Sequence, residues 1–197
     1  MIKAEILLLT AGKSSRMGQP KALLSIKGQP LISYQINRLK ELGLPITVVL
    51  GAYADAISKV VTSKEVRLDL NKDFEKGMGS SIAFGTNSIR NTNPEIDAIL
   101  VCAIDQPLVP LDHFENLLST ASKTDFSIIQ SLSEAGWRGI PTLFKSNHFE
   151  ALSKLSGDEG AKSIIQNNQS MVKAVEAPTD SLIDIDTYEQ YQSLNLD

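Results

Sequence analysis

Ile6-Leu-Leu-Leu-Thr-Ala-Gly-Lys-Ser-Ser-Arg-Met-Gly-Gln-Pro-Lys21 is the stretch on which the fold turns. Four aliphatic residues without alternation read as a strand covered on both faces, and they run into a polar, glycine-containing loop from Thr10 to Pro20. Pro30 then opens a helix whose Leu31, Ile32, Ile36, Leu39 and Leu42 share one face, with Gly43 as its stop. The alternation continues outward with a strand at Ile46 to Leu50, a helix at Ala52 to Val61 and a shorter strand at Val66 to Leu70. Gly77-Met-Gly-Ser-Ser81 leads into another helix, and Ala98 to Ile104 is the strongest apolar strand of the chain. This rhythm predicts a mostly parallel sheet with helices on both faces, one three-layer α/β/α domain over 1–197. After Asp105 the rhythm loosens. Strands are expected at Phe126 to Ser131, Ile140 to Phe144 and Met171 to Val175, and short helices at Asn147 to Leu155, Glu159 to Asn167 and Thr187 to Leu194.

Composition narrows the function. Nineteen Lys and Arg against 23 Asp and Glu give a net charge of −4 with no basic block, so nucleic acid is not expected as a partner. The longest apolar run, Ala98 to Ile104, has seven residues, far below the ~20 that span a bilayer. The N-terminus enters a strand and does not read as a signal peptide, so a cytoplasmic protein with no membrane partner is expected. Cys102 is the single cysteine, which excludes an internal disulfide and a cysteine-based zinc site.

The loop after the first strand carries the sharpest chemical signal. Thr10, Ala11, Gly12 and Ser14 are small enough for backbone N–H groups to approach an anion, while Lys13, Arg16 and Lys21 bring positive charge to the same mouth. Neither G-x-x-x-x-G-K-[ST] nor G-x-G-x-x-G is present, and a solvated turn with incidental charges is the plain alternative. Asp105 ends the strongest strand within Cys102-Ala-Ile-Asp-Gln-Pro-Leu108, where a hard carboxylate suits Mg²⁺; an Asp that merely starts a turn before Pro107 is the rival reading. Gly77, Gly79, Ser80 and Ser81 at a helix N-terminus read as an anion or hydrogen-bonding site, or as a simple cap. Asp184 and Asp186, two residues apart on an extended segment, point to one side, with Thr187 available as an N-cap. Trp137 and Arg138 offer stacking and phosphate pairing, or a surface hairpin. His113 and His148 fall outside these groups and read as surface or helix residues rather than bases.

Leu-x-Ala-Gly-x-Ser-x-Arg-Met-Gly-x-x-Lys resembles the signature loop of nucleotidyltransferases that move a nucleoside monophosphate from an NTP onto a phosphate. Among these the chain is most similar to the molybdenum cofactor cytidylyltransferases, with Gly77-Met-Gly-Ser-Ser-Ile82 typical of that branch. The resemblance implies a Rossmann-like fold, CTP as donor and a molybdopterin-type phosphate as acceptor, with a molybdoenzyme of the xanthine dehydrogenase type receiving the product. It implies that Thr10, Ala11, Gly12, Lys13, Ser14, Arg16, Lys21, Gly77, Gly79, Ser80 and Ser81 bind the nucleotide, and that Arg16, Lys21 and Asp105 are catalytic. Asp105 resembles the family's Mg²⁺ ligand. Asp184-Ile-Asp186-Thr-Tyr-Glu resembles the family's closing Asp-x-Asp-Thr-Pro-Glu-Asp, with Tyr188 in place of Pro and Gln190 in place of Asp, and adds both acids to the metal set. Gln106, Pro107, Arg138, Gly139 and Pro141 fall on the acceptor side. A guanylyltransferase of the same cofactor remains open, although its loop more typically shows Gly-Gly where this chain has Ala11-Gly12. A transferase acting on a sugar phosphate also remains open.

Overall fold

In the computed structural model, which describes residues 2–14 and 17–194, strand Ala4–Leu9 (β1) lies in the interior of a seven-stranded sheet. A small hairpin, Ser25–Ile26 (β2) and Gln29–Pro30 (β3), stands apart and delivers the chain into helix Leu31–Lys40 (α1). Then come Ile46–Leu50 (β4), Ala54–Val60 (α2), Val66–Leu70 (β5), Met78–Thr92 (α3), Ala98–Ala103 (β6) and Leu111–Lys123 (α4). Ile128–Leu132 (β7), Arg138–Lys145 (β8), Phe149–Leu152 (α5), Lys162–Asn167 (α6), Val172–Glu176 (β9) and Tyr188–Ser193 (α7) complete the described elements.

The sheet order is β5-β4-β1-β6-β8-β7-β9. Only β8 opposes its neighbours: it pairs antiparallel with β6 and β7, whereas the other pairs are parallel. The mostly parallel expectation holds. The reversed strand was invisible to hydrophobic pattern, which fixes burial but not direction. Its start therefore lies at the sheet edge where the parallel strands end, the edge at which open α/β sheets bind ligands.

Every residue of β1 and β4 is buried, as continuous apolar strands covered on both faces should be. Period-two geometry sends Ile6 and Leu8 into one core with Leu31, Ile32, Ile36, Leu39, Phe114 and Leu117. Leu7 and Leu9 enter the opposite core with Ile82, Ile89, Phe144, Phe149 and Leu152. Helices α1, α2 and α4 thus cover one face, and α3, α5 and α6 the other.

Two local departures have physical reasons. Helix α4 went unread in the loosened second half, yet Phe114, Leu117 and Ala121 repeat at helical spacing and are buried. The expected helix from Asn147 contracts to α5 preceded by a tight turn over Ser146–His148. There the His148 side chain is buried and its Nε2 lies 2.7 Å from the Ser127 hydroxyl, so it is no surface residue. His113 is likewise buried, with Nε2 2.8 Å from Ser131 Oγ. Burial holds both imidazole pKa values below the ordinary range.

Candidate active site

The loop leaving β1 closes on itself. Thr10 is pinned to β4: its amide and hydroxyl both donate to the Val49 carbonyl, at 3.1 and 2.8 Å. Ala11 lies directly against Gly51, where a Cβ would fall 2.5 Å from the Ala11 carbonyl oxygen, so only glycine lets the two backbones approach this closely. Ser14 takes a left-handed conformation at φ 50° and accepts from the Lys21 amide at 3.2 Å, drawing the far end of the loop back over its start. Tyr53 Oη donates to the Lys13 carbonyl, and Lys13 Nζ pairs at 2.6 Å with Glu75 across the mouth. Gly51, Tyr53 and Glu75 were not singled out from sequence; only a glycine directly after β4 offered a signal. Arg16 lies outside the described residues.

This loop roofs a cavity of about 880 Å³ at the carboxyl edge of the parallel strands. On its floor the Lys21 ammonium sits between two carboxylates, 3.0 Å from Asp105 Oδ2 and 2.8 Å from Asp186 Oδ1. Burial by itself would lower the Lys21 pKa; attraction from and hydrogen bonding to Asp105 and Asp186 outweigh it, and the pKa is raised.

Asp105 is held by backbone contacts around it. Ile185 N donates to the Asp105 carbonyl at 2.8 Å, and Ile185 itself is fully buried, so Asp184 and Asp186 flank it toward the cavity. From α1, Gln35 Nε2 donates to the Gln106 carbonyl at 3.1 Å, and Arg38 binds the carbonyls of Pro107 and Val109. A buried glutamine and an arginine on α1 thus fix the strand-exit loop. Nothing in the local sequence pattern marked them.

Asp184 has a solvent-facing side, but its pKa is pushed up to about 6. Burial is the first cause, followed by the negative charge of Asp105; Asp186 adds to the rise, while Gln106 and Lys21 oppose it. Folded Asp184 therefore holds its proton to about pH 6, whereas the unfolded carboxyl releases it near 3.8. The native state is penalised as pH rises through that window. In buffer free of divalent metal, Asp184→Asn is expected to melt above the wild type at pH 7.5, by roughly a few degrees, with the difference gone near pH 4. Melting curves at the two pH values check this, and a lower melting temperature at pH 7.5 would contradict it.

Among the described residues no three His, Cys, Asp or Glu side chains close around one point as a ready-made metal cage. The donor set still fits Mg²⁺, which takes one or two protein carboxylates and completes its shell with phosphate and water. Asp105, Asp184 and Asp186 all line the cavity and supply those hard oxygens.

At the start of α3 the sequence-derived candidates divide. Gly77 and Ser81 line the cavity; Gly79 and Ser80 do not. The Gly79 amide donates to the Gly157 carbonyl at 2.8 Å, and a Cβ there would lie 2.7 Å from the Ser156 oxygen. The buried Ser80 hydroxyl accepts from Asn71 Nδ2 and lies 2.8 and 2.9 Å from the Gly77 and Asp73 carbonyls. Gly79 thus seats segment 156–157 on the helix, while Ser80 ties the helix start to the 71–77 turn before it. On the other side, Gln106, Arg138 and Gly139 line the cavity while Pro107 and Pro141 do not. Thr187 caps α7 through a reciprocal pair with Gln190, so the residue that departs from the resembling motif closes a capping box.

Comparison with known proteins agrees with this geometry. The family described as MobA-like NTP transferase domain matches residues 6–173. The purine catabolism protein PucB of Bacillus subtilis is 31% identical over 193 residues, covering 93% of this chain and 91% of that protein. The nicotine blue oxidoreductase of Paenarthrobacter nicotinovorans is 30% identical over 196 residues, covering 95% and 94%. Among solved structures, Rv0371c of Mycobacterium tuberculosis superposes with a TM-score of 0.83 at 21% identity, over 98% of this chain and 97% of that one. A complex of Rv0371c with manganese gives a TM-score of 0.80 over the same shares, at 21% identity.

Proposed function

Because the chain belongs to the MobA-like NTP transferase family, and is a nucleotidyltransferase of that type, we propose that it transfers CMP from CTP to the terminal phosphate of a molybdopterin-type acceptor and releases pyrophosphate. The observation that carries this reading is the floor of the cavity, where Lys21 lies between Asp105 and Asp186 beneath the loop Thr10 to Ser14. A phosphate monoester is already largely dianionic at neutral pH, with a second pKa near ~6, so no general base is required. The acceptor oxygen attacks the α-phosphorus in line. The bond from that phosphorus to the bridging oxygen breaks, and pyrophosphate departs with the electron pair.

What the protein supplies is position and charge. Backbone amides of the loop and the ammonium groups of Lys13 and Lys21 hold the phosphates; Arg16 is assigned to the same task from its place in the motif. Asp105, with Asp184 or Asp186, would hold Mg²⁺, which when bound neutralises phosphate charge. The manganese complex of a protein of the same fold supports a divalent ion here. Gln106, Arg138 and Gly139 belong to the acceptor side. In this proposal one domain, residues 1–197, carries the whole reaction in the cytoplasm, where CTP is made. The product passes to a molybdoenzyme of the xanthine dehydrogenase type. A relative named for purine catabolism accords with that recipient, xanthine being a purine.

Pyrophosphate release should be measured with each of the four NTPs, with and without molybdopterin, in Mg²⁺ and in Mn²⁺. Release with CTP and molybdopterin together is expected. A preference for GTP would move the assignment to guanylyl transfer, and release with a sugar 1-phosphate would replace the acceptor.

A further inference from the structure

We propose that Trp137 selects the acceptor, its indole serving as a stacking platform for a planar heteroaromatic ring that carries the attacking phosphate. The proposal rests on the nucleotidyl-transfer reading of the cavity and names the residue that would recognise the second substrate.

Trp137 is the single tryptophan of the chain, it is 44% exposed, and it lines the cavity. A large apolar ring left this open at a cavity wall offers unspent contact area. Its position is fixed. The tip of the β7–β8 hairpin closes with Ser133 N to the Trp137 carbonyl at 2.9 Å and Gly136 N to the Ser133 carbonyl at 2.9 Å. The Trp137 amide adds a bond to Ser133 Oγ at 3.1 Å. The far end of the indole lies against Gly139, so close that a Cβ at Gly139 would run into the six-membered ring. Gly139 is therefore the seat of the indole. Ile140 and Ile165 continue the apolar wall, and Arg138 and Lys162 place positive charge on the same cavity lining.

Sheet order assigns this platform to the acceptor rather than to the nucleotide. The phosphate loop follows β1, Asp105 follows β6 with Asp184 and Asp186 tied beside it through Ile185, and the hairpin precedes β8; β1, β6 and β8 are successive neighbours, each ~4.8 Å from the next. The acids thus lie between the triphosphate loop and the indole. An in-line displacement brings the nucleophile from the side opposite the leaving pyrophosphate, which is the hairpin side. An indole face suits a flat ring. Glucose 1-phosphate is the comparison that separates stacking from hydrogen bonding, because Gln130, Gln166 and Gln169 also line this cavity.

The test is calorimetric titration of the full chain and of Trp137→Phe, Trp137→Ala and Gly139→Ala with 6-hydroxymethylpterin phosphate, glucose 1-phosphate and CTP. Gly139 does not hold a positive φ, so alanine is tolerated by the backbone while its methyl displaces the indole. Loss of one stacking partner typically weakens binding on the order of tenfold to a hundredfold. Trp137→Ala and Gly139→Ala are each expected to lose that much affinity for the pterin phosphate, Trp137→Phe to keep most of it, and all to bind CTP like the wild type. Emission from the lone tryptophan should stay unquenched by CTP. Equal pterin affinity in wild type and Trp137→Ala overturns the proposal, as does tighter wild-type binding of glucose 1-phosphate than of the pterin. Quenching by CTP together with weaker CTP binding in Trp137→Ala also overturns it, by giving the platform to the nucleobase. None of these results depends on turnover, so pyrophosphate release from CTP tests the reaction separately.

Discussion

Asp105→Asn is expected to give a folded protein whose turnover falls by at least on the order of 10²–10³, the usual cost of removing one preorganised charge partner from a transition state. The substitution changes almost no volume, and the loop is held by contacts that do not involve the carboxylate. Ile185 N bonds the Asp105 carbonyl, Gln35 the next carbonyl, and Arg38 those of Pro107 and Val109. Lys21 retains Asp186 at 2.8 Å. The loss should therefore fall on chemistry and leave the melting temperature near that of the wild type. Pyrophosphate release in Mg²⁺ and in Mn²⁺, measured beside a thermal melt, reads both. Activity like that of the wild type would remove Asp105 from the metal set.

Lys21→Met should be as damaging to activity, again on the order of 10²–10³, because a neutral thioether of similar reach cannot hold phosphate charge. This variant should also report on stability. In the wild type, burial works against the Lys21 charge but the two carboxylates raise its pKa, so its contribution is present below the unfolded value of 10.5 and is lost only above the folded one. From about pH 7, where Asp184 is ionised, to pH 9 that contribution is constant. In the variant, Asp105, Asp184 and Asp186 face one cavity without the ammonium. Their mutual repulsion should lower the melting temperature at pH 8 and relax toward pH 4 as Asp184, whose pKa is already pushed up to about 6, takes up its proton. Melting curves across that range check the sign, and kcat and kcat/KM check the chemistry. If both kinetic constants stayed at wild-type values, the ammonium would be structural.

Much of this site was legible in the letters of the chain because its parts lie on continuous stretches. Thr10 to Ser14 follows a strand too apolar to be anything but central, and Asp105 ends another; strand order then delivers both to one edge. Asp184 and Asp186 were readable from the period of an extended chain, with Ile185 turned into the core between them. What escaped depended on contacts between distant segments. Arg38 reads as an ordinary polar position of an amphipathic helix until the loop 71 residues away is laid beside it. Ser80 has the letters of a ligand donor, yet its hydroxyl is spent on the Asp73 and Gly77 carbonyls, a fact of packing that composition does not encode. The direction of β8 is of the same kind, because period and hydrophobicity are unchanged when a strand is reversed.

The hairpin that joins β7 to β8 has a consequence for how such a protein diverges. Its tip is closed, among the described residues, by bonds between Ser133, Gly136 and Trp137, whereas the phosphate loop is tied into β4 and the Asp105 loop into α1. Substitutions among residues 133–137 can therefore accumulate without loosening the sheet or moving Lys21 and Asp105. A lineage built on this scaffold is free to change the molecule it modifies by rewriting one short surface turn, while the machinery that cleaves the triphosphate is inherited intact. Exchanging that turn between relatives of about 30% identity is accordingly the smallest graft that should carry acceptor preference with it.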